Sequence, residues 1–290
     1  MPVVGIVLFA AALHAAWNAL VKAIGDRLTL MAMMGAATVA IALPIALLVS
    51  APRAQAWPEV GGSLVLHTVY NLMLVASYRV GDYNQVYPIA RGTAPPVVAL
   101  AAVVLVGERL TGLQVAGLII LSCGLLTLAV ARGQGSPRAV GLAVMTGLLI
   151  AAYTVTDGVG VRHSGSVLGY AGWLFTGSGV LTALIPRLAL GMAGPGSRRE
   201  ARPARVCTVL RTAPDLAARG ALAAALSLVA YVLVLWAQTR GALAVVAALR
   251  ETSVVFAAVL GAFVFREHLP SRRIMASVLV AAGAAALALG

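Results

Sequence analysis

Apolar stretches of about twenty residues recur along the chain, and most are separated by connectors of only a few residues. An α-helix rises about 1.5 Å per residue, so roughly 20 such residues cross the hydrocarbon layer of a bilayer. The pattern predicts ten membrane-spanning helices, near 3–22, 29–50, 60–79, 84–106, 112–131, 139–159, 167–190, 218–238, 243–265 and 272–289. The fold class expected is an all-α integral membrane protein. One connector is long, the Gly-, Pro- and Arg-rich run around 191–218, which reads as a solvated basic loop. The first apolar segment has no basic n-region and no small-residue cleavage site, so it is expected to stay as a helix.

Polar residues inside these segments fall at helical spacing. His14, Trp17, Asn18 and Lys22 stand at i, i+3, i+4 and i+8, on one face. The third segment repeats the spacing with His67, Tyr70 and Asn71, and adds Tyr78. The fourth carries Asn84, Tyr87, Pro88 and Arg91; the sixth, Tyr153, Thr156 and Asp157; the eighth, Tyr231 and Gln238. Lipid cannot satisfy such stripes, and each buried charge costs about 2.5–3.5 kcal/mol at a helix centre. Arg91, Asp157, Arg250 and Glu251 are therefore expected to converge on a shared hydrated cavity, with Arg91 paired to Glu251 or Asp157. Pro88, Pro95 and Pro96 are expected to kink the fourth helix and free carbonyls near that cavity.

Composition sharpens this picture. Of 290 residues 61% are hydrophobic and 10% charged, against about 25% charged in soluble domains. The net charge of +12 would suggest nucleic acid in a soluble protein, but here the positive residues lie mostly between segments. Connectors after odd-numbered segments hold fifteen Lys and Arg, and those after even-numbered segments hold four. The positive-inside rule then puts the odd connectors in the cytoplasm and both termini outside, in a cell (inner) membrane. Two cysteines without metal-ligand spacing exclude a disulfide framework and a zinc site. No cofactor and no nucleic-acid partner is expected.

The two halves of the chain resemble each other. Residues 91–110 (RGTAPPVVALAAVVLVGERL) align with 250–269 (RETSVVFAAVLGAFVFREHL), with Arg91 matching Arg250 and Glu108 matching Glu267. Five segments per half is an odd number, so the second half enters the membrane inverted. The expected units are 1–135 and 136–290, two inverted five-helix repeats around a central cavity, an arrangement common in secondary transporters. Glu108 and Glu267, at segment ends, are expected to pair with Arg109 or Arg266 or to cap helices.

The stretches HAAWNALVK, YPIARGTAPPVVALAAVVLVGERLTGLQVAGLIILSCG and AYTVTDGVGVR resemble EamA-type members of the drug/metabolite transporter superfamily, over nearly the whole chain. The resemblance implies ten helices in two inverted repeats, and transport of small metabolites. The second half departs from it in reading REHL where the first reads GERL.

No Walker A motif is present, so energy comes from an ion gradient or from exchange. Guanidinium groups suit carboxylates and phosphates. The expected function is a secondary transporter, exporter or exchanger, of an anionic or zwitterionic metabolite such as an amino acid, organic acid or phosphonate. The substrate-binding set is Arg91, Arg250, His14, Trp17, Asn18, His67, Tyr70, Asn71, Tyr87, Tyr153 and Tyr231. Asp157 and Glu251 would supply counter-charge, bind an amino group or carry a coupling proton. The expected partners are the solute and the bilayer, with the chain acting as a monomer or homodimer. An exporter of cations would need an acid deep in the first helix, which has none. An intramembrane transferase would need DxxxD, HExxH or HxxxxD, none of which occurs. The chain is therefore not expected to be an enzyme.

Overall fold

The computed structural model describes residues 2–22, 27–80, 83–130, 136–191, 213–263 and 270–290. Among them there is no strand. The helices are α1 (Pro2–Lys22), α2 (Arg27–Leu48), α3 (Trp57–Val80), α4 (Tyr83–Ala101), α5 (Gly112–Val130), α6 (Pro137–Ser164), α7 (Val167–Gly191), α8 (Pro214–Gln238), α9 (Leu243–Arg250), α10 (Ser253–Phe263) and α11 (Ser271–Leu289). These correspond to the ten expected segments, with the ninth broken into α9 and α10. Among the described residues eight spans are long and apolar enough to cross a membrane: α1, α2, α4 with the turn after it, α6, α7, α8, α9–α10 and α11. The chain is an all-α, multi-pass membrane protein. Most of the basic connector and the Glu267 end of the repeat lie outside the described residues, as do the side chains of Lys22, Tyr78 and Asn84.

Among the helix pairs that pack through glycine are α5–α11 and α2–α7. In α5 against α11, a Cβ on Gly117 would stand 2.7 Å from the Gly283 carbonyl. In α2 against α7, one on Gly35 would stand 2.6 Å from the Ala183 nitrogen. Small residues let the backbones come this close, and dispersion then replaces the hydrophobic drive that lipid does not supply. Inside this frame, α6 packs on α3 and α4, while α1 packs on α8, α9 and α10. The outer faces carry the exposed apolar residues, among them Phe9, Leu47, Val65, Leu100, Val104 and Val278.

Helix interruption does not fall where the prolines suggest. The fourth segment stays helical through Pro88, Pro95 and Pro96 and loosens only into a π turn at Ala102–Val106. Gly107 ends it with φ +75°, a conformation that costs glycine nothing. The true break is at Glu251–Thr252 in the ninth segment, where no proline stands. There the Thr252 hydroxyl (2.7 Å) and the Thr252 N–H (3.1 Å) both donate to the Leu249 carbonyl. Glu251 N–H likewise donates three residues back, to Ala248 O. A hydroxyl bonding its own local backbone competes with the regular helical ladder.

Candidate functional site

The interrupted helix places two opposite charges where the halves of the chain meet. Arg250 ends α9 and Glu251 follows it. Arg91, from α4, lies across from them and is 6% exposed. Its Nη1 donates to Glu251 Oε1 at 2.9 Å. Its Nη2 lies 2.6 Å from His14 Nε2. A guanidinium can only donate, so His14 accepts at Nε2 and holds its proton at Nδ1. Arg91 Nε donates to the Tyr87 hydroxyl at 3.3 Å. Of the two acids expected as partners for Arg91, the structure pairs Glu251.

Arg250 sits differently. It lies over the Tyr231 ring, 5.3 Å from the centroid. Among the described residues no carboxylate stands within ion-pair distance of it. It borders a cavity shared with Ala94, Pro95, Thr154 and Glu251. The space holds about one water molecule, far short of the wide hydrated cavity expected from sequence. Arg91 is not among its lining residues; it reaches the cavity only through Glu251. Glu251 Oε2 is buried with no hydrogen-bond partner among the described residues, and so is Ser253 Oγ.

The second acid, Asp157, is 1% exposed and held by phenols. Tyr170 donates to its Oδ1 at 3.1 Å, and Tyr231 makes a short hydrogen bond to its Oδ2. Tyr231 therefore joins Asp157 through its hydroxyl to Arg250 through its ring. His67 stacks on Tyr153 with centroids 4.1 Å apart and meets Tyr231 edge-on at 6.0 Å. Tyr70 meets Tyr153 edge-on at 5.5 Å. His67 Nδ1 lies 3.0 Å from both the hydroxyl and the carbonyl oxygen of Ser63, one turn earlier on α3.

Two residues of the first stripe do not reach this cluster through polar bonds. Asn18 turns its amide back to the His14 carbonyl of its own helix, at 2.8 Å. Trp17 packs edge-on against His14, and its indole N–H is buried without a partner among the described residues. Asn71 is half-buried on α3, and among the described residues no hydrogen bond ties it in. Sequence reasoning missed Tyr170, Ser63 and Phe175, which back Asp157, His67 and Tyr231. Of these only Ser63 carried a usable signal, standing four residues before His67 on the same face.

Comparison with known proteins bears on this arrangement. A solved crystal structure of another protein matches 99% of this chain and 95% of its own, at 18% identity and a TM-score of 0.70. That likeness extends to the fold alone. No curated protein matches the chain. The family model described as the EamA-like transporter family matches residues 137–289, the half that carries Asp157, Tyr231, Arg250 and Glu251. The chain belongs to the EamA-like transporter family, a branch of the drug/metabolite transporters.

Proposed function

We propose that this transporter moves a small anionic or zwitterionic metabolite across the cytoplasmic membrane by secondary transport, using the cavity at the α9–α10 break as its binding site. The observation that carries this reading is the half-buried guanidinium of Arg250, which borders the cavity and has no ion pair among the described residues. A carboxylate, phosphate or phosphonate would complete it in the planar geometry that guanidinium favours. Glu251 offers its free Oε2 to the same cavity, 2.9 Å of salt bridge holding the other oxygen on Arg91. A solute ammonium fits that oxygen, so a zwitterion would satisfy both groups.

Arg91, His14 and Tyr87 position Glu251, and Tyr153, Tyr231, Tyr70 and His67 wall the site. Asp157 is the candidate for counter-charge or a coupling proton, because two phenols bond it and no cation does among the described residues. Ligand pockets commonly enclose about 300–1,000 Å³, so the one-water space is a closed state that must widen to admit a solute. The two inverted repeats, 1–135 and 136–290, supply the motion, each rocking against the other. The basic connectors face the cytoplasm and both termini lie outside.

Thermal-shift screening of purified protein against amino acids, organic acids and phosphonates tests the site. Ligand at about 100 times Kd stabilises by about 2.7 kcal/mol. An anion that stabilises the parent protein is expected to lose its effect in Arg250→Ala, with the ligand-free melting temperature nearly kept. Equal stabilisation of the variant would remove Arg250 from the site.

A further inference from the structure

The connectors following α4 and α8 meet the end of α6 and the start of α9 on one face. Glu108, just past the π turn, receives the Leu243 N–H on Oε1 (2.7 Å) and the Ala244 N–H on Oε2 (3.3 Å). These are first-turn donors of α9, which has no cap of its own because Ala242 precedes it. Arg162, near the end of α6, completes the arrangement. Its Nη2 donates to Glu108 Oε1 at 3.2 Å and to the Gly241 carbonyl at 2.8 Å, and its Nε donates to the Gln238 carbonyl at 2.8 Å. The anion thus sits where the helix dipole of α9 is positive, and the cation where α8 ends. Of the two duties expected for Glu108, the structure shows helix capping, and its ion pair is with Arg162 and not Arg109.

We infer that Glu108 and Arg162 form a gate, closed in this structure, that shuts the cavity from the face carrying few basic residues. Every bond in the clasp runs between separate elements, and Arg162 is 30% exposed, so water can take over these bonds as the clasp opens. The helix it caps is eight residues long, about 12 Å. Its far end is Arg250, beside the cavity. Movement of α9 therefore changes the mouth and the binding groups together. Thr154 lies two turns before Arg162 on α6 and lines the cavity below the clasp. A second side-chain contact on this face, His163 Nδ1 to Glu59 Oε1 at 2.9 Å, ties α6 to α3 and does not touch α9. It is the natural control.

The inference rests on the transport reading, but its test needs no solute. In a background with Cys123 and Cys207 changed to Ser, Thr154→Cys reports access to the cavity by a membrane-impermeant maleimide. Gln55→Cys marks the clasp face, because the Arg53 N–H beside it bonds the Ser164 carbonyl at the end of α6. Labelling is followed in intact cells and in inverted vesicles. Arg162→Ala and Glu108→Gln are expected to speed labelling of Thr154→Cys by about tenfold, as when an open population rises from roughly 1% to 10%. The rise should occur only in the preparation where Gln55→Cys labels, and Glu59→Gln should leave the rate unchanged. Unchanged rates in both clasp variants, an equal rise in Glu59→Gln, or a rise from the opposite face would overturn the gate. Rates are taken on monodisperse protein; aggregation of both variants would make the clasp a folding requirement and equally overturn it. Failure of the Arg250 binding test leaves this readout intact.

Discussion

The Arg91–Glu251 pair gives the sharpest stability test. Both residues are nearly inaccessible, at 6% and 3% exposed, and the contact is 2.9 Å. Two unit charges about 4 Å apart attract by about 4 kcal/mol at an effective dielectric constant near 20. Removing one member of a buried pair costs about 3–5 kcal/mol, because the other charge stays buried without compensation. Glu251→Gln leaves the Arg91 guanidinium with His14 and Tyr87 alone. Arg91→Gln leaves a buried carboxylate and removes the donor to His14. Each single change is expected to lower the melting temperature by roughly 6–20 °C, at about 2–4 °C per kcal/mol. The double variant removes both charges and should cost less than about 3 kcal/mol, giving a coupling of about 3 kcal/mol or more. Intrinsic tryptophan fluorescence in nanodiscs, using the four native tryptophans, follows the transition. Additive single effects, or singles below about 1 kcal/mol, would refute the claim that this pair is energetically closed against solvent.

Two further outcomes follow from close packing and from the Asp157 hydrogen bonds. Gly169→Ala would drive a methyl into the Ser50 carbonyl, so the backbone where α7 meets the end of α2 must shift; a loss of about 1–3 kcal/mol is expected in the same melting assay. Asp157→Asn keeps one acceptor for two tyrosine hydroxyls, and the lost charge-assisted bond should cost about 1.5–3 kcal/mol. Adding Tyr231→Phe to that variant should then cost less than Tyr231→Phe alone, and equal costs would show that the two groups do not act together.

The convergence of Arg91, His14 and the Arg250–Glu251 step was readable because intramembrane charge has few places to go. Depth along each helix follows from counting residues, but rotation about the axis is set by packing. For that reason the sequence could not choose between Glu251 and Asp157 as the partner of Arg91. Prolines remove a donor without ending the helix, and α4 runs on through all three. The interruption at Glu251–Thr252 depends on a hydroxyl bonding Leu249, a local competition visible as Thr–Ser in the sequence only after the fact. Glu108 caps a helix that begins 135 residues later, a tertiary contact that no local pattern encodes.

The buried site has one more property, which concerns voltage. Its four formal charges, Arg91 and Arg250 against Asp157 and Glu251, sum to zero. An elementary charge moved through the full membrane potential exchanges about 2.3 kcal/mol per 100 mV with the field. The two repeats divide this set, Arg91 on one and Arg250, Asp157 and Glu251 on the other, so rocking moves opposite net charges against each other within the field. A current recorded during turnover therefore sums that movement with the valence of the cargo and its co-travelling ion.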